Sequence, residues 1–187
     1  MTRLNRVFRR PGLYVVYGRP GSFKTAFTLW ASSIIRGERL YLGVAKHSLL
    51  CGRVEYCKPI SNVADLLSAL LENLDAPPRV MAVDGVEALL IPLWSANRRA
   101  AMQLLLFVVE TLLRASRGGC TCLLTMEGGE RPHFYSTLRR VDGVVMLRLS
   151  AREELVVDVL GRDLEPLSRH RIPLEEMLGV YDERGQG

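Results

Sequence analysis

The segment from Tyr14 to Thr25 constrains the fold of this chain more than any other part of the sequence. It runs Tyr-Val-Val-Tyr-Gly-Arg-Pro-Gly-Ser-Phe-Lys-Thr, which predicts an apolar strand, a glycine-rich turn and the start of a helix. This order is typical of a phosphate-binding loop, in which backbone N–H groups surround phosphate, the lysine adds a point charge and the threonine reaches Mg²⁺. The predicted nucleotide-binding residues are Gly18, Arg19, Pro20, Gly21, Ser22, Phe23, Lys24 and Thr25.

Phe23 stands directly before the lysine, where such loops usually carry glycine. If its backbone angles are ordinary, its amide can still point at phosphate while the ring packs outward. If its φ is positive, the loop carries strain of about 1–3 kcal/mol. Such strain weakens affinity about tenfold or more, because about 1.4 kcal/mol corresponds to a factor of ten. The substitution therefore favours weak binding and slow turnover over efficient ATPase action.

Apolar strand-like segments alternate with segments of helical spacing along the rest of the chain. Strands separated by helices require crossover connections, so we expect an α/β fold with a mainly parallel central β-sheet flanked by helices. The segments 141–149 and 154–160 predict an antiparallel addition near the C-terminus. The other predicted strands are 12–17, 39–44, 53–57, 79–83 and 120–126, and the predicted helices are 24–36, a helix between Ser61 and Pro77, and 95–117.

Length and composition indicate one globular domain, because 187 residues of which 48% are apolar can bury a sizeable core. We expect a basic N-terminal arm at 1–11, a nucleotide-binding domain at 12–180 and a flexible tail at 181–187. No apolar run spans a bilayer and no secretory signal is visible, which predicts a cytoplasmic protein with no membrane partner. Abundant Arg with scarce Gln and Asn is typical of a thermophile, although GC-rich coding produces a similar bias.

The four cysteines form no Cys-x-x-Cys pair, so a zinc site is not expected. Cys120 and Cys122 lie in an apolar run, and buried free thiols are the simplest interpretation of all four. A disulfide between Cys51 and Cys57 is the alternative if the source is a hyperthermophile.

Polar groups follow three of the predicted strands, and ligands of such folds bind beyond the carboxyl ends of the strands. The loop follows the first strand, Asp84 follows Val80–Val83, and Glu127 follows the strand ending at Met126. A carboxylate at the position of Asp84 typically holds Mg²⁺, usually through water and together with the loop threonine, here Thr25. We therefore predict Thr25 and Asp84 as the metal-binding residues.

Four segments together resemble the RecA superfamily, in particular archaeal RadA/RadB-like paralogues and KaiC-like ATPases. They are Tyr17–Thr25, Val83–Leu90, Leu123–Glu127 and Val141–Leu147. The resemblance extends over about 12–160, and its first two segments are the more specific. It implies a RecA-like core that binds ATP at a subunit interface.

The chain departs from that family after its second predicted strand. The family usually has a glutamate there to activate the attacking water, whereas this chain continues Val-Ala-Lys-His-Ser from Val44 and has no carboxylate. His47 is the base that this stretch offers, although a lone histidine is more often a surface or packing residue. Glu127, which is nearer the family's sensor position, is the predicted catalytic residue and would orient water or Mg²⁺.

The polar segment 127–140 stands where recombinases of this family carry a DNA-contacting loop. It supplies glycines for flexibility, arginines for phosphate and aromatic rings for base stacking. An ordinary active-site loop is the alternative interpretation. Together with the basic arm, the predicted DNA-binding residues are Arg9, Arg10, Arg131, Phe134, Tyr135, Arg139 and Arg140. Trp94 with Arg98 and Arg99 is a second candidate contact, unless Trp94 belongs to the core.

Two functions from different classes follow from these features. The first is an accessory factor for DNA repair and recombination that binds ATP weakly and binds single-stranded DNA, a RecA-family recombinase or its own copies. The second is a KaiC-like regulatory protein whose nucleotide state governs protein contacts without nucleic acid. The basic arm and the arginine-rich loop favour the first, and the missing glutamate with the Val141–Leu147 segment favours the second.

Overall fold

The computed structural model describes residues 7–8, 10–44, 56–127, 141–149, 154–161 and 163–177. The strands are β1 (Gly12–Gly18), β2 (Arg39–Val44), β3 (Cys57–Ile60), β4 (Val80–Asp84), β5 (Thr121–Glu127), β6 (Gly143–Leu149), β7 (Glu154–Leu160) and β8 (Pro166–Pro173). The helices are α1 (Lys24–Ile34), α2 (Val63–Glu72), α3 (Glu87–Ala96) and α4 (Arg98–Arg117), and residues 174–177 form a short helical turn. No helix among these residues is long and apolar enough to cross a membrane.

The strands form one sheet in the order β3-β2-β4-β5-β1-β6-β7-β8. Neighbours from β3 to β6 pair in parallel, and β7 and β8 continue the sheet in antiparallel pairing. The predicted α/β class, with its mainly parallel sheet, flanking helices and antiparallel addition, is confirmed. Strand β8 was not predicted, since its charged residues lack an apolar run.

Helices cover both faces of the sheet. Side chains of β1 alternate between the two faces, so that Val15 and Tyr17 contact one apolar cluster and Val16 contacts the other. The first cluster includes side chains of α2, α3 and α4, and the second includes those of α1. Burial on both faces explains why the central strands are continuously apolar instead of alternating.

Two asparagines set helix starts that the sequence placed elsewhere. The side chain of Asn62 accepts a hydrogen bond from the Asp65 amide at 2.9 Å, so α2 starts one residue after this cap. Asn97 accepts in the same way from the Ala100 amide at 3.1 Å and separates α3 from α4. The predicted single helix 95–117 is therefore wrong at its start, and helix α3, which contains Pro92, was missed.

Strand β3 lies at Cys57–Ile60 and not at the predicted 53–57. Parallel pairing with β2 decides this position, with Tyr41 opposite Cys57 and Val44 opposite Ile60. Pro59 is tolerated because β3 is the edge strand of the sheet.

The cysteines divide into two groups. Cys120 and Cys122 are buried free thiols, as predicted. Cys57 is disulfide-bonded, so the free-thiol interpretation is wrong for this residue. Cys51 lies outside the described residues.

The segment predicted as a basic arm contains an apolar anchor. The Phe8 side chain is fully buried and makes edge-to-face contacts with Tyr14 and Phe27, with ring centroids 5.3 and 6.1 Å apart. The Phe8 carbonyl also accepts a hydrogen bond from Thr121 Oγ1 at 3.3 Å. Residues 1–6 and Arg9 lie outside the described residues.

Candidate functional site

A cleft of about 300 Å³ opens at the carboxyl ends of β1, β4 and β5. The register of the sheet aligns these ends, with Gly18 opposite Glu127 on neighbouring strands. Helix α1 leaves β1 across one face while α3 leaves β4 across the other, and such a divergence opens a crevice in an α/β sheet. The lining residues are Gly21, Ser22, Phe23, Lys24, Thr25, Asp84, Gly85, Glu87, Thr125 and Glu127. The three strand ends that the sequence singled out therefore meet in one place.

The start of the loop after β1 leaves little room for a side chain. A Cβ on Gly18 would clash with the Ser22 hydroxyl and would lie 3.0 Å from the backbone oxygen of Leu147 on β6. Ser22 closes the turn by donating its amide hydrogen to the Arg19 carbonyl at 3.1 Å. The Ser22 side chain is 6% exposed, and its hydroxyl has no hydrogen-bond partner in the part of the chain that the structure describes. A buried, unpartnered hydroxyl in a loop of this shape is suited to a polar ligand.

Phe23 has φ 59° and ψ 26°, which is the left-handed region. The sequence left open whether Phe23 has ordinary backbone angles or a positive φ, and the structure has the positive φ, which is strained. The ring is half-buried against the apolar cluster under α1, and the helix begins at the next residue. Packing of the ring therefore offsets a backbone conformation that costs a residue with a Cβ about 1–2 kcal/mol.

We expect Phe23→Gly to be more stable than Phe23→Ala, with a free energy of unfolding that is about 1 kcal/mol higher. Both variants lose the ring, but only alanine keeps the Cβ that is strained at positive φ. Urea unfolding of the two variants measures this difference, and equal stability would show that the loop carries no strain. The glycine variant is also expected to bind nucleotide more tightly than the wild type, without fast hydrolysis.

Lys24 points back into the loop. Its Nζ donates hydrogen bonds to the carbonyl oxygens of Gly18 at 3.0 Å and Arg19 at 2.9 Å, and it lies 3.7 Å from Glu127 Oε1. Burial lowers the pKa of Lys24, while the carboxylates of Glu127, Glu87 and Asp84 act in the opposite direction. Among the described residues, the Lys24 ammonium thus lies in a cleft lined by the carboxyl groups of Asp84, Glu87 and Glu127.

Asp84 is held by two hydroxyl groups on neighbouring strands. Tyr41 on β2 donates to Oδ2, and Thr125 on β5 donates to Oδ1 while accepting from the Gly85 amide at 3.0 Å. All three side chains are buried. Neither Tyr41 nor Thr125 was assigned a role from the sequence, because only the strand order places both beside Asp84.

Thr25 and Asp84 line the same cleft, as their predicted metal role requires. Among the described residues, no group of three or more His, Cys, Asp or Glu side chains could hold a metal ion. Magnesium is usually held by one or two protein ligands together with waters and phosphate oxygens. The residues present fit an Mg²⁺ ion that enters with a phosphate ligand. Each Asp84 oxygen accepts a hydrogen bond from one hydroxyl group, and each has a second lone pair for the ion or for a water bound to it.

Glu87 is a cleft residue to which the sequence assigned no role. It is in the first turn of α3, and its Oε1 accepts a hydrogen bond from the Glu127 amide. Burial raises the pKa of Glu87, and the charges of Glu127 and Asp84 raise it further. The sequence signal that could have identified Glu87 is its position just after the Val83-Asp84-Gly85 turn. The contact of Glu87 with β5, however, depends on the tertiary structure.

We expect Glu87→Gln to remove part of the pH dependence of stability. Because its pKa is raised, the folded chain holds the Glu87 proton more tightly than the unfolded chain does. The wild-type free energy of unfolding therefore falls as the pH rises above the ordinary glutamate value, through the raised one. Urea unfolding from pH 4 upward should show that the free energy of unfolding of the variant increases relative to that of the wild type across this pH range. Above the range, the difference between the two should stay constant. A constant difference at all pH values would contradict this.

Most of the predicted DNA-binding residues lie outside the described residues, as does His47. They are Arg9, Arg131, Phe134, Tyr135, Arg139 and Arg140. Arg10 is exposed, and its carbonyl accepts a hydrogen bond from the Tyr14 hydroxyl at 3.2 Å. Trp94 is half-buried and its ring lies 4.9 Å from the Arg98 guanidinium, so this tryptophan packs on the core and also contacts a cation.

Comparisons of the sequence with protein-family models and with curated proteins return no match. The geometry of the cleft is therefore the main indication of what this chain does.

Proposed function

We propose that this chain binds ATP together with Mg²⁺ in the cleft at the ends of β1, β4 and β5. The observation that carries the proposal is the buried Lys24 ammonium, held inside a tight glycine loop in the same cleft as Asp84. Backbone amides of the loop and the Lys24 ammonium are the groups that recognise phosphate oxygens. Thr25 and Asp84 would hold the metal ion, which would offset negative charge on the phosphates.

Thermal unfolding in the presence of ATP and Mg²⁺ tests this proposal. A ligand that binds only the folded state raises the melting temperature with concentration, as mass action requires. We expect a weak but saturable rise, because Phe23 strains the loop. The absence of any shift at millimolar ATP with Mg²⁺ would overturn the proposal.

We propose that hydrolysis is slow. Glu127, the carboxylate predicted to orient water, is paired with Lys24 at 3.7 Å. The sequence after β2 offers no second carboxylate before Ser48. Steady-state phosphate release should therefore be well below the typical enzyme rate of about 10 s⁻¹. A rate at or above that value would contradict this part of the proposal.

For the cellular role, we propose an accessory factor in DNA repair and recombination, similar to RecA-superfamily paralogues, that binds single-stranded DNA or a recombinase. The basis is the resemblance of the sequence together with the arginines and aromatics of 127–140. The double substitution of Arg139 and Arg140 with Ala should weaken binding to all single strands and reduce its salt dependence.

Arg114 and Arg117 provide a matched control for this DNA experiment. Both are exposed in the last turn of α4, which leads into the amino end of β5, far from the cleft. Replacing both removes the same charge and should change DNA binding much less. Equal losses would indicate unspecific attraction, and no wild-type binding at low salt would favour the regulatory alternative, in which nucleotide governs protein contacts.

A further inference from the structure

The phosphate-binding lysine already has partners within the protein. Its Nζ donates to two loop carbonyls, at 3.0 and 2.9 Å, and forms an ion pair with Glu127 at 3.7 Å. An ammonium group has three N–H donors, of which the two carbonyls take two. Glu127 lies at ion-pair distance from Nζ, beyond hydrogen-bond length, so a phosphate oxygen that approaches the third donor meets the charge of Glu127.

Glu127 is the partner that can leave most easily. Its side chain is 42% exposed, whereas that of Lys24 is 9% exposed, so Glu127 can rotate into water while the lysine stays in place. The two carbonyls belong to Gly18 and Arg19, whose positions the turn fixes. The Glu127 backbone is itself held in β5 opposite Gly18 and by the hydrogen bond of its amide to Glu87.

A triphosphate without metal meets unfavourable charge in this cleft. Asp84, Glu87 and Glu127 all line it, and the cation among the described lining residues is the ammonium of Lys24. At separations of about 4 Å, near a protein surface where the effective dielectric constant is about 20, like charges repel each other appreciably. A divalent cation brought with the phosphates changes the sign of this interaction.

We propose that Glu127 determines the specificity of the cleft: its ion pair with Lys24 restricts the site to metal-complexed nucleotide and excludes the metal-free form. This inference depends on the proposed nucleotide binding. Beyond the residues that hold the nucleotide, the inference assigns to Glu127 the discrimination between metal-complexed and metal-free nucleotide.

The test compares ATP binding with excess Mg²⁺ and with EDTA, in the wild type, Glu127→Gln and Glu87→Gln. Glutamine at 127 keeps the shape of the side chain but removes the ion pair. We expect Glu127→Gln to raise the affinity for metal-free ATP about tenfold and to reduce the requirement for Mg²⁺. Glu87→Gln removes the same charge from the same cleft without touching Lys24, so its gain should be several-fold smaller.

The remaining outcomes separate the two proposals. Wild-type binding of ATP that is equally tight with and without Mg²⁺ overturns the inference but leaves nucleotide binding intact. Equal gains in the two glutamine variants also overturn it, because net charge alone would then explain the effect. If neither the wild type nor Glu127→Gln binds ATP under any condition, the proposed function fails and the inference fails with it.

Discussion

Replacement of Lys24 with Ala is expected to abolish the thermal stabilisation that ATP and Mg²⁺ confer on the wild type. A ligand present at one hundred times its dissociation constant stabilises a fold by about 2.7 kcal/mol, and the variant should lose all of it. The physical reason is that Lys24 supplies the positive charge among the described residues that line the cleft, and its removal leaves phosphate facing Asp84, Glu87 and Glu127.

The control for this experiment is Lys58→Ala. Lys58 lies on the edge strand β3, and its exposed side chain pairs with Glu72 at 2.9 Å. This variant should keep the full nucleotide-dependent shift, because exposed ion pairs contribute about 0–1 kcal/mol to stability and Lys58 does not line the cleft. A Lys24→Ala protein that folds and still shows a wild-type shift would place the nucleotide elsewhere.

Replacement of Phe8 with Ala should lower the free energy of unfolding by about 3–5 kcal/mol. The ring is fully buried between Tyr14 of β1 and Phe27 of α1, so its loss leaves a cavity beside the strand that carries the loop. Urea unfolding of the full chain measures the change.

Phe107→Ala is the matched control for Phe8, because it removes the same atoms from a side chain that is 38% exposed on α4. It should cost much less than the loss at Phe8. If the two variants lose similar amounts of stability, Phe8 does not anchor the N-terminal segment.

Phe23 and Phe8 show which properties of a residue its sequence neighbours do not determine. The sequence predicts that Phe23 is either relaxed or strained, but the value of φ depends on how β1 and α1 are joined around the turn. The same limit applies to Phe8, which lies in a stretch rich in arginine and is nevertheless buried. Composition reports the average character of a segment, whereas burial is decided by the partner that each side chain meets.

The α/β class, the glycine loop and the polar ends of β1, β4 and β5 follow from the sequence alone, because strand period, turn residues and apolar runs are local properties. The strand order is not a local property, and it determines which side chains contact the polar groups at those strand ends. Placing β2 and β5 on either side of β4 brings the hydroxyls of Tyr41 and Thr125 to Asp84. Pairing β5 with β1 sets Glu127 opposite Gly18, within reach of Lys24. These contacts join residues about 40 to 100 positions apart, and only long-range pairing in the folded sheet brings them together.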